Sequence, residues 1–319
     1  ELLFNWAAGL IIEYKTDEKK QKLHERYRTQ IYTLHRLERT SQMKDWFTIN
    51  HIDADTHIIS ETGIVGGNAL HLLNGSERSL LIDTGLGICN IYNEVRKLTD
   101  KSVTAVATHI HWDHIGGHKY FPDFYAHEDE LNWLSGEFPL TMEQIKSMVI
   151  DRCELPEGYD VNKYEFFQGT PTRALKDDDV IDIGGRCIQM PHTPDFAGTY
   201  VLLVKDRGYL FTGDLVYKDT LFAYYPSTDP TAYLASLERV AALPVKRVFP
   251  AHHSLDIQPE ILVRMRNAFR RLKADGKLHH GSGTFDYGDW AFTFLPSPDR
   301  RIQHQASCFS SPAPASWSN

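Results

Sequence analysis

Three histidines and an aspartate fall within six residues of the segment THIHWDHIGG, and metal binding is the chemistry open to such a cluster. The residues are His109, His111, Asp113 and His114. Alternate residues of an extended segment point to the same side, so His109 and His111 can bind one metal ion. Asp113 and His114 lie beyond the strand end and can turn toward another. The spacing therefore predicts two metal ions.

Further ligand-type residues stand directly after short apolar runs that are typical of buried strands. SLLID ends at Asp83, AVATH at His109, LFTGD at Asp214 and RVFPAH at His252. In open α/β architectures, functional sites assemble at strand ends from residues that are far apart in sequence. Asp83 taken alone is equally well explained as a turn or cap residue. The recurrence of the pattern at four strand ends favours one shared site.

From Trp46 onward, such apolar runs alternate with segments of helical character, which predicts an α/β domain. The predicted helices are Ile88–Leu98, Asp129–Leu134, Met142–Arg152, Thr231–Ala242 and Glu260–Ala274. Residues 13–45 are charged and carry apolar side chains at helical spacing, which predicts a helical extension over residues 1–45. We expect this α/β domain to span residues 46–300 and a tail of low complexity to span residues 301–319.

Composition excludes several classes of function. The net charge of −8 gives no attraction to phosphate backbones, so we do not expect nucleic acid as a partner. We expect a small-molecule substrate instead. No apolar run reaches the roughly 18 residues of a membrane span, and LLFNWAAGLII lacks the basic residues of a secretory signal. The four cysteines are scattered without a CxxC pair, which favours a cytoplasmic location. The oligomeric state is left open, and a homodimer is compatible with the sequence.

Taken together, the motifs resemble those of the glyoxalase II-like hydrolases of the metallo-β-lactamase fold. LLIDTG, THIHWDH, PHTPD, FTGD and PAH occur in that family's order between Trp46 and Ile257. The resemblance implies an αββα sandwich and a binuclear metal-dependent hydrolase with two Zn²⁺ ions. It also implies that a hydroxide bridging the metals is the nucleophile, because paired cations lower the pKa of bound water.

The same resemblance implies a role for each matching residue. The implied ligands are His109, His111 and His192 for one zinc ion, Asp113, His114 and His252 for the second, and Asp214 as a bridge between them. Asp83 would support the histidines by hydrogen bonds without binding metal. Tyr217 matches a tyrosine of lactonase-type members that contacts the substrate carbonyl oxygen, although a core tyrosine would explain it equally well.

The third ligand of the first metal has two candidates. Alignment on His-Thr-Pro in MPHTPDFAGTY selects His192, whereas alignment on the following Gly-Thr selects Asp195. An imidazole suits zinc, while an Asp195 ligand would shift the preference toward iron or manganese. In PAHHSL, the Pro-small-His frame selects His252 over His253.

The substrate is predicted from the residues that follow the bridging aspartate. The segment TLFAYYPSTDPTAYLASLERV is similar in spacing to that of thioester-hydrolysing members. Its apolar rim would consist of Leu221, Phe222, Tyr224, Tyr225 and Pro226. We therefore expect a carboxylic ester, thioester or lactone. The alternatives are an iron-dependent redox enzyme of the persulfide dioxygenase type and a β-lactamase-like amide hydrolase.

Overall fold

The structure, a computed structural model, describes residues 46–194, 200–224 and 228–295. In these residues two large sheets, one small sheet and several helices form an α/β arrangement. The predicted helical extension at 1–45 and the predicted tail at 301–319 lie outside the described residues. No described helix combines the length and the apolar character needed to cross a membrane.

The first sheet contains seven strands in sequence order. They are β1 (Phe47–Asp53), β2 (Thr56–Glu61), β3 (Asn68–Asn74), β4 (Ser79–Ile82), β5 (Val103–Val106), β6 (Phe124–His127) and β7 (Arg173–Leu175). Strands β1 to β4 pair antiparallel, whereas β4 to β7 pair parallel. Because parallel strands end at one edge, the residues after β4, β5 and β6 come together there.

The second sheet contains the strands β8 (Asp179–Asp182), β9 (Cys187–Met190), β10 (Leu202–Val204), β11 (Tyr209–Gly213) and β13 (Arg247–Pro250). Their order in the sheet is β13-β11-β10-β9-β8. Strands β11 and β13 are parallel neighbours, so Asp214 and His252 follow at the same edge. A small third sheet contains β12 (Thr220–Phe222), β14 (Thr284–Asp286) and β15 (Ala291–Thr293).

One apolar core joins the facing sides of the two large sheets. Ile58, Leu80 and Val106 from the first sheet belong to the same buried cluster as Leu202 and Phe249 from the second. Each fully buried side chain of this kind contributes about 1.5–3 kcal/mol relative to an exposed one. The two sheets are thereby held face to face, and their converging edges can share one site.

Five helices accompany the sheets in the described residues, and two of them coincide with the predicted bounds. They are α1 (Ile91–Val95), α2 (Trp112–Ile115), α3 (Met142–Arg152), α4 (Pro230–Val240) and α5 (Glu260–Ala274). Helix α3 begins with a capping box between Thr141 and Gln144. The predicted helix at Asp129–Leu134 forms as a 3-10 turn at Glu128–Glu130 that leads into a π-helical segment at Trp133–Glu137, where Gly136 has a φ angle of 116°.

A second core covers the outer side of the second sheet. Along α5, Ile261, Met265 and Phe269 recur at intervals of four residues and are buried in one cluster with Leu210 and Val248 of the sheet. The apolar stripe of α5 therefore fixes this helix on the sheet that carries Asp214 and His252. The paired sheets with helices outside them agree with the predicted sandwich.

Candidate metal centre

The DTGLG turn after β4 is bonded directly to the segment that contains the clustered histidines. The Thr84 amide donates to the His114 carbonyl at 2.7 Å, and the Gly116 amide donates to the Gly85 carbonyl at 2.8 Å. Only glycine fits at Gly116, because a Cβ there would overlap the Leu86 carbonyl oxygen. The turn and the histidine segment therefore hold each other in place.

The three clustered histidines lie where β5 passes into α2. His109 comes three residues after the end of β5, His111 is the residue before α2, and α2 itself carries Asp113 and His114. The His109 Nε2 atom is 2.9 Å from His111 Nδ1, and the rings of His109 and His114 have centroids 4.0 Å apart. The structure thus brings together the side chains that the spacing suggested.

Asp214 and His252 reach this cluster from the second sheet. One oxygen of Asp214 lies 3.3 Å from His114 Nε2 and 3.2 Å from His252 Nε2, and the other lies 3.7 Å from His109 Nε2. Asp113 is also near, with an oxygen 3.8 Å from His252 Nε2. Asp214 therefore stands between the histidines of the two sheets.

The hydrogen bonds of two histidines leave one nitrogen of each available as a ligand. The Nδ1 atom of His114 donates to Asp83 Oδ2 at 3.0 Å, and Nδ1 of His252 donates to the Gly67 carbonyl at 2.8 Å. In the neutral tautomers, both Nε2 atoms then present lone pairs, although they lie only 3.3 Å apart. Such an arrangement is repulsive unless a proton or a metal cation lies between the two nitrogen atoms.

The spacing of these donors fits a metal ion. With metal–nitrogen distances of 2.0–2.1 Å, two ligands of a tetrahedral site lie roughly 3.3 Å apart. The separations around Asp214, His114 and His252 are 3.2–3.3 Å. The donor set of imidazoles and carboxylates, with Nδ1 atoms oriented by outer hydrogen bonds, is the pattern of metal-binding histidines.

The protonation of these groups follows from burial and charge. Burial lowers the pKa of His109 well below its usual value, and the neighbouring His114 and His111 lower it further. Burial alone would raise the pKa of Asp214, but His252 and His114 hold it well below the usual range. Burial would lower the pKa of His114, yet Asp214 and Asp83 raise it well above. A proton on His114 therefore competes with a metal ion for the same lone pair.

Asp83 supports the cluster from a strained backbone position. Its φ angle is +58°, and its Oδ1 accepts from the Thr108 amide at 2.7 Å. Its Oδ2 accepts from the Thr108 hydroxyl at 2.9 Å in addition to His114. Thr108 thus binds Asp83 and positions the neighbouring His109. In the sequence, the only sign of this role of Thr108 is that it directly precedes a candidate metal ligand.

Three buried polar residues that the motifs did not reveal also hold the site. Glu130 accepts from the amide of Ile110, the residue between His109 and His111, at 3.0 Å. The Asn68 side chain donates to Glu61 Oε2 at 3.1 Å and to the Asp113 carbonyl at 2.5 Å. These contacts fix the backbone on which the ligand side chains stand.

The structure groups His192 with residues other than His109 and His111. The ring of His192 stacks on that of His127 with the ring centroids 4.2 Å apart. Together with Asp129, these two histidines form a separate group of side chains that could bind a metal ion. Asp195, the alternative ligand, lies outside the described residues. The assignment of His192 to the first metal therefore stays a prediction from sequence.

The candidate substrate residues occupy different environments. The Tyr217 hydroxyl donates to the Thr220 carbonyl at 3.1 Å, and its ring lies 6.0 Å from the ring of His252 and stacks on His253. Leu221 was expected at an apolar rim, but it is buried in the core beside α4 and α5, so that part of the expectation is wrong. Tyr225 and Pro226, two further residues of the predicted rim, lie outside the described residues.

Comparisons with known proteins point to one family. The sequence model described as the metallo-beta-lactamase superfamily matches residues 63–252. Proteins named acyl-coenzyme A thioesterase MBLAC2 from Bos taurus and Homo sapiens are each 30% identical to the chain over 228 residues. Each alignment covers 65% of this chain and 81% of the relative.

Solved structures agree at the level of the fold. The metallo-beta-lactamase family protein TTHA1429 from Thermus thermophilus matches with a TM-score of 0.53 at 20% identity, covering 70% of this chain and 82% of that one. The archaeal superfamily protein ST1585 from Sulfolobus tokodaii matches with a TM-score of 0.50 at 22% identity, covering 67% and 85%. At these identities the likeness concerns architecture alone.

Proposed function

The chain belongs to the metallo-beta-lactamase superfamily of hydrolases, and from that premise we propose that it cleaves acyl-coenzyme A thioesters at a pair of metal ions. The observation that carries the proposal is the placement of Asp214 within 3.3 Å of both His114 and His252, between the ends of two sheets. The relatives named as acyl-coenzyme A thioesterases support the choice of a thioester over an ester or lactone.

We assign the ligands of two zinc ions to the cluster. Those of the first metal are His109 and His111, those of the second are Asp113, His114 and His252, and Asp214 is shared between them. The third ligand of the first metal is His192 or Asp195. A donor set dominated by imidazole suits zinc, whereas Asp195 in the third position would favour iron or manganese.

The residues around the metals have separate tasks. When bound, the paired ions supply Lewis-acid polarisation of the thioester carbonyl and lower the pKa of a coordinated water. Asp83 and the Gly67 carbonyl fix the tautomers of His114 and His252, so that each Nε2 faces Asp214. Burial of the His109 and His114 side chains keeps bulk water away from these donors. The site is thereby ordered before substrate arrives.

Tyr217 is the candidate donor to the substrate carbonyl oxygen. Its hydroxyl is occupied by the Thr220 carbonyl at 3.1 Å, so it must exchange that bond to donate to a substrate. Tyr217→Phe should then lower kcat for thioester cleavage by about 10²–10³-fold if the hydroxyl stabilises developing negative charge. An unchanged kcat would assign Tyr217 to packing against His253.

A substrate panel tests the proposed chemistry. Purified protein loaded with zinc is assayed with acyl-coenzyme A thioesters of several chain lengths, an aryl ester, a lactone and a β-lactam, with release of the free thiol followed for the thioesters. We expect kcat/KM to be highest for an acyl-coenzyme A. A lactone or β-lactam cleaved faster than every thioester would overturn the substrate assignment while leaving the metal centre intact.

A cytoplasmic location remains our proposal, based on the scattered cysteines of the sequence. In the described part of the chain, Cys89, Cys153 and Cys187 are free thiols. A homodimer likewise remains a proposal, and the molar mass in solution tests it.

A further inference from the structure

A second group of side chains able to bind a metal ion lies at the edge of the sheets and shares no residue with the groups formed around His114 by His109, Asp113, Asp214 and His252. His127 is the last residue of β6, Asp129 follows it by two residues, and His192 lies two residues after β9. Each offers one ligand atom, and the three atoms lie within 4.8 Å of one another. The group therefore draws on both large sheets, as the paired centre does.

The backbone and ring of His192 are fixed in this group. Its amide donates to Asp177 Oδ1 at 2.9 Å, and its carbonyl accepts from Arg239 at 3.0 Å. Arg239 in turn lies 2.8 Å from the same Asp177 oxygen. The His192 ring stacks on that of His127 with an interplanar angle of 21°. These contacts order the imidazoles before any ligand binds.

One imidazole nitrogen in this group has no partner in the described residues. The Nε2 atom of His192 is buried and makes no hydrogen bond there. Leaving such a polar atom unsatisfied costs about 1–3 kcal/mol, so the position is expected to serve a ligand. An ion bound to this atom would satisfy it.

Asp129 offers a carboxylate ligand on the solvent-exposed side of the group. Asp129 Oδ2 lies 3.4 Å from His127 Nδ1, close to the roughly 3.3 Å between ligands of a tetrahedral zinc site. The Asp129 side chain is 54% exposed, so an ion can enter and water can complete its coordination. His127 Nδ1 also accepts from the Asp129 amide at 3.0 Å. Binding through that nitrogen would displace this bond and make the site weaker than the paired centre.

We propose that His127, Asp129 and His192 form a third, weaker site for a first-row transition metal ion, of which zinc is the best match. Two imidazoles and one carboxylate are a donor set that binds Zn²⁺ and other divalent ions of the first transition row. In this assignment His192 is not a ligand of the paired centre. The third position beside His109 and His111 is then filled by another residue.

Metal titration tests the site without reference to activity. Metal-free full-length protein is titrated with Zn²⁺ by calorimetry, and the bound metal is counted by elemental analysis after equilibration at fixed free zinc. We expect two tight equivalents and one weaker one. Asp129→Asn and His192→Gln should each weaken the third equivalent by at least about 10–100-fold, the loss caused by removing even an outer partner of a ligand.

Matched variants make the outcome specific. Asp100→Asn removes an exposed carboxylate and His279→Gln an exposed histidine, both outside the group, and each should keep all three equivalents. Asp129→Asn changes an exposed side chain, so it keeps the test valid if His192→Gln unfolds. The inference is overturned if wild-type protein binds no third equivalent, if Asp129→Asn leaves it unchanged, or if His192→Gln loses a tight equivalent.

Discussion

Replacement of Asp83 by asparagine separates its hydrogen bonds from its role in the turn. Asp83 has a φ angle of +58°, which asparagine tolerates better than other residues with a side chain, so the backbone should persist. The wild-type carboxylate accepts from the Thr108 amide, the Thr108 hydroxyl and His114 Nδ1 at 2.7–3.0 Å. An amide retains one acceptor oxygen and places an NH₂ group where the other oxygen was.

The expected loss falls on His114. Thr108 can turn its hydroxyl to accept from the new NH₂ group, whereas the Nδ1–H of His114 would face another donor. Losing the outer partner of a metal-binding histidine costs about 10–100-fold in metal affinity or activity. This range corresponds to about 1.4–2.7 kcal/mol.

Competition with a chromophoric chelator measures the zinc affinity of wild type and Asp83→Asn, and urea unfolding of the metal-free proteins measures their stability. Asp83→Ala is the companion variant, because it also loses the turn conformation and should be less stable than Asp83→Asn by about 1–2 kcal/mol. Wild-type zinc affinity and turnover in Asp83→Asn would refute the support of His114 and leave Asp83 as a turn residue.

Three further changes probe other parts of the structure. Gly85→Ala should destabilise the folded protein more than Gly158→Ala does. Both glycines have a positive φ angle, but only at Gly85 would the new Cβ lie 2.5 Å from a Glu61 carboxylate oxygen. Equal midpoints of urea unfolding for the two variants would contradict this prediction. Burial lowers the pKa of His71 to about 3, so below pH 6.5 the unfolded chain binds a proton that the folded chain does not. Between pH 7 and pH 5, the free energy of unfolding of metal-free wild type should therefore fall by about 2 kcal/mol more than that of His71→Leu. Parallel curves of unfolding free energy against pH for the two proteins would exclude this contribution. Asp214→Ala should hold fewer than two zinc ions and lose thioester cleavage, and full metal content in that variant would remove Asp214 from the centre.

The clustering of the candidate ligands was predictable where these residues stand at strand ends. Four apolar runs of the sequence end at Asp83, His109, Asp214 and His252, and in the structure these four residues lie in one cluster. They meet because parallel neighbouring strands have their carboxyl ends at the same edge of a sheet. Helix α3 was predictable at both ends, and the capping box that marks its start lies in local sequence. Local signals of this kind depend on few distant contacts.

The supporting residues and the neighbours of His192 could not be read from sequence. Glu130 reaches the Ile110 amide only because β6 pairs with β5, and nothing in the sequence around Glu130 marks that contact. His127 and His192 are 65 positions apart in the chain and meet because the two sheets face each other. Such contacts depend on the packing of whole elements, which residue spacing does not encode.

Stepwise zinc addition to metal-free protein, with hydrolysis of an acyl-coenzyme A followed at each step, tests the paired centre most directly. The positions of Asp214, His114 and His252 predict that turnover rises until two tightly bound equivalents are present and that further zinc adds none. Full turnover at one equivalent, with a second neither binding nor activating, would contradict a binuclear hydrolase.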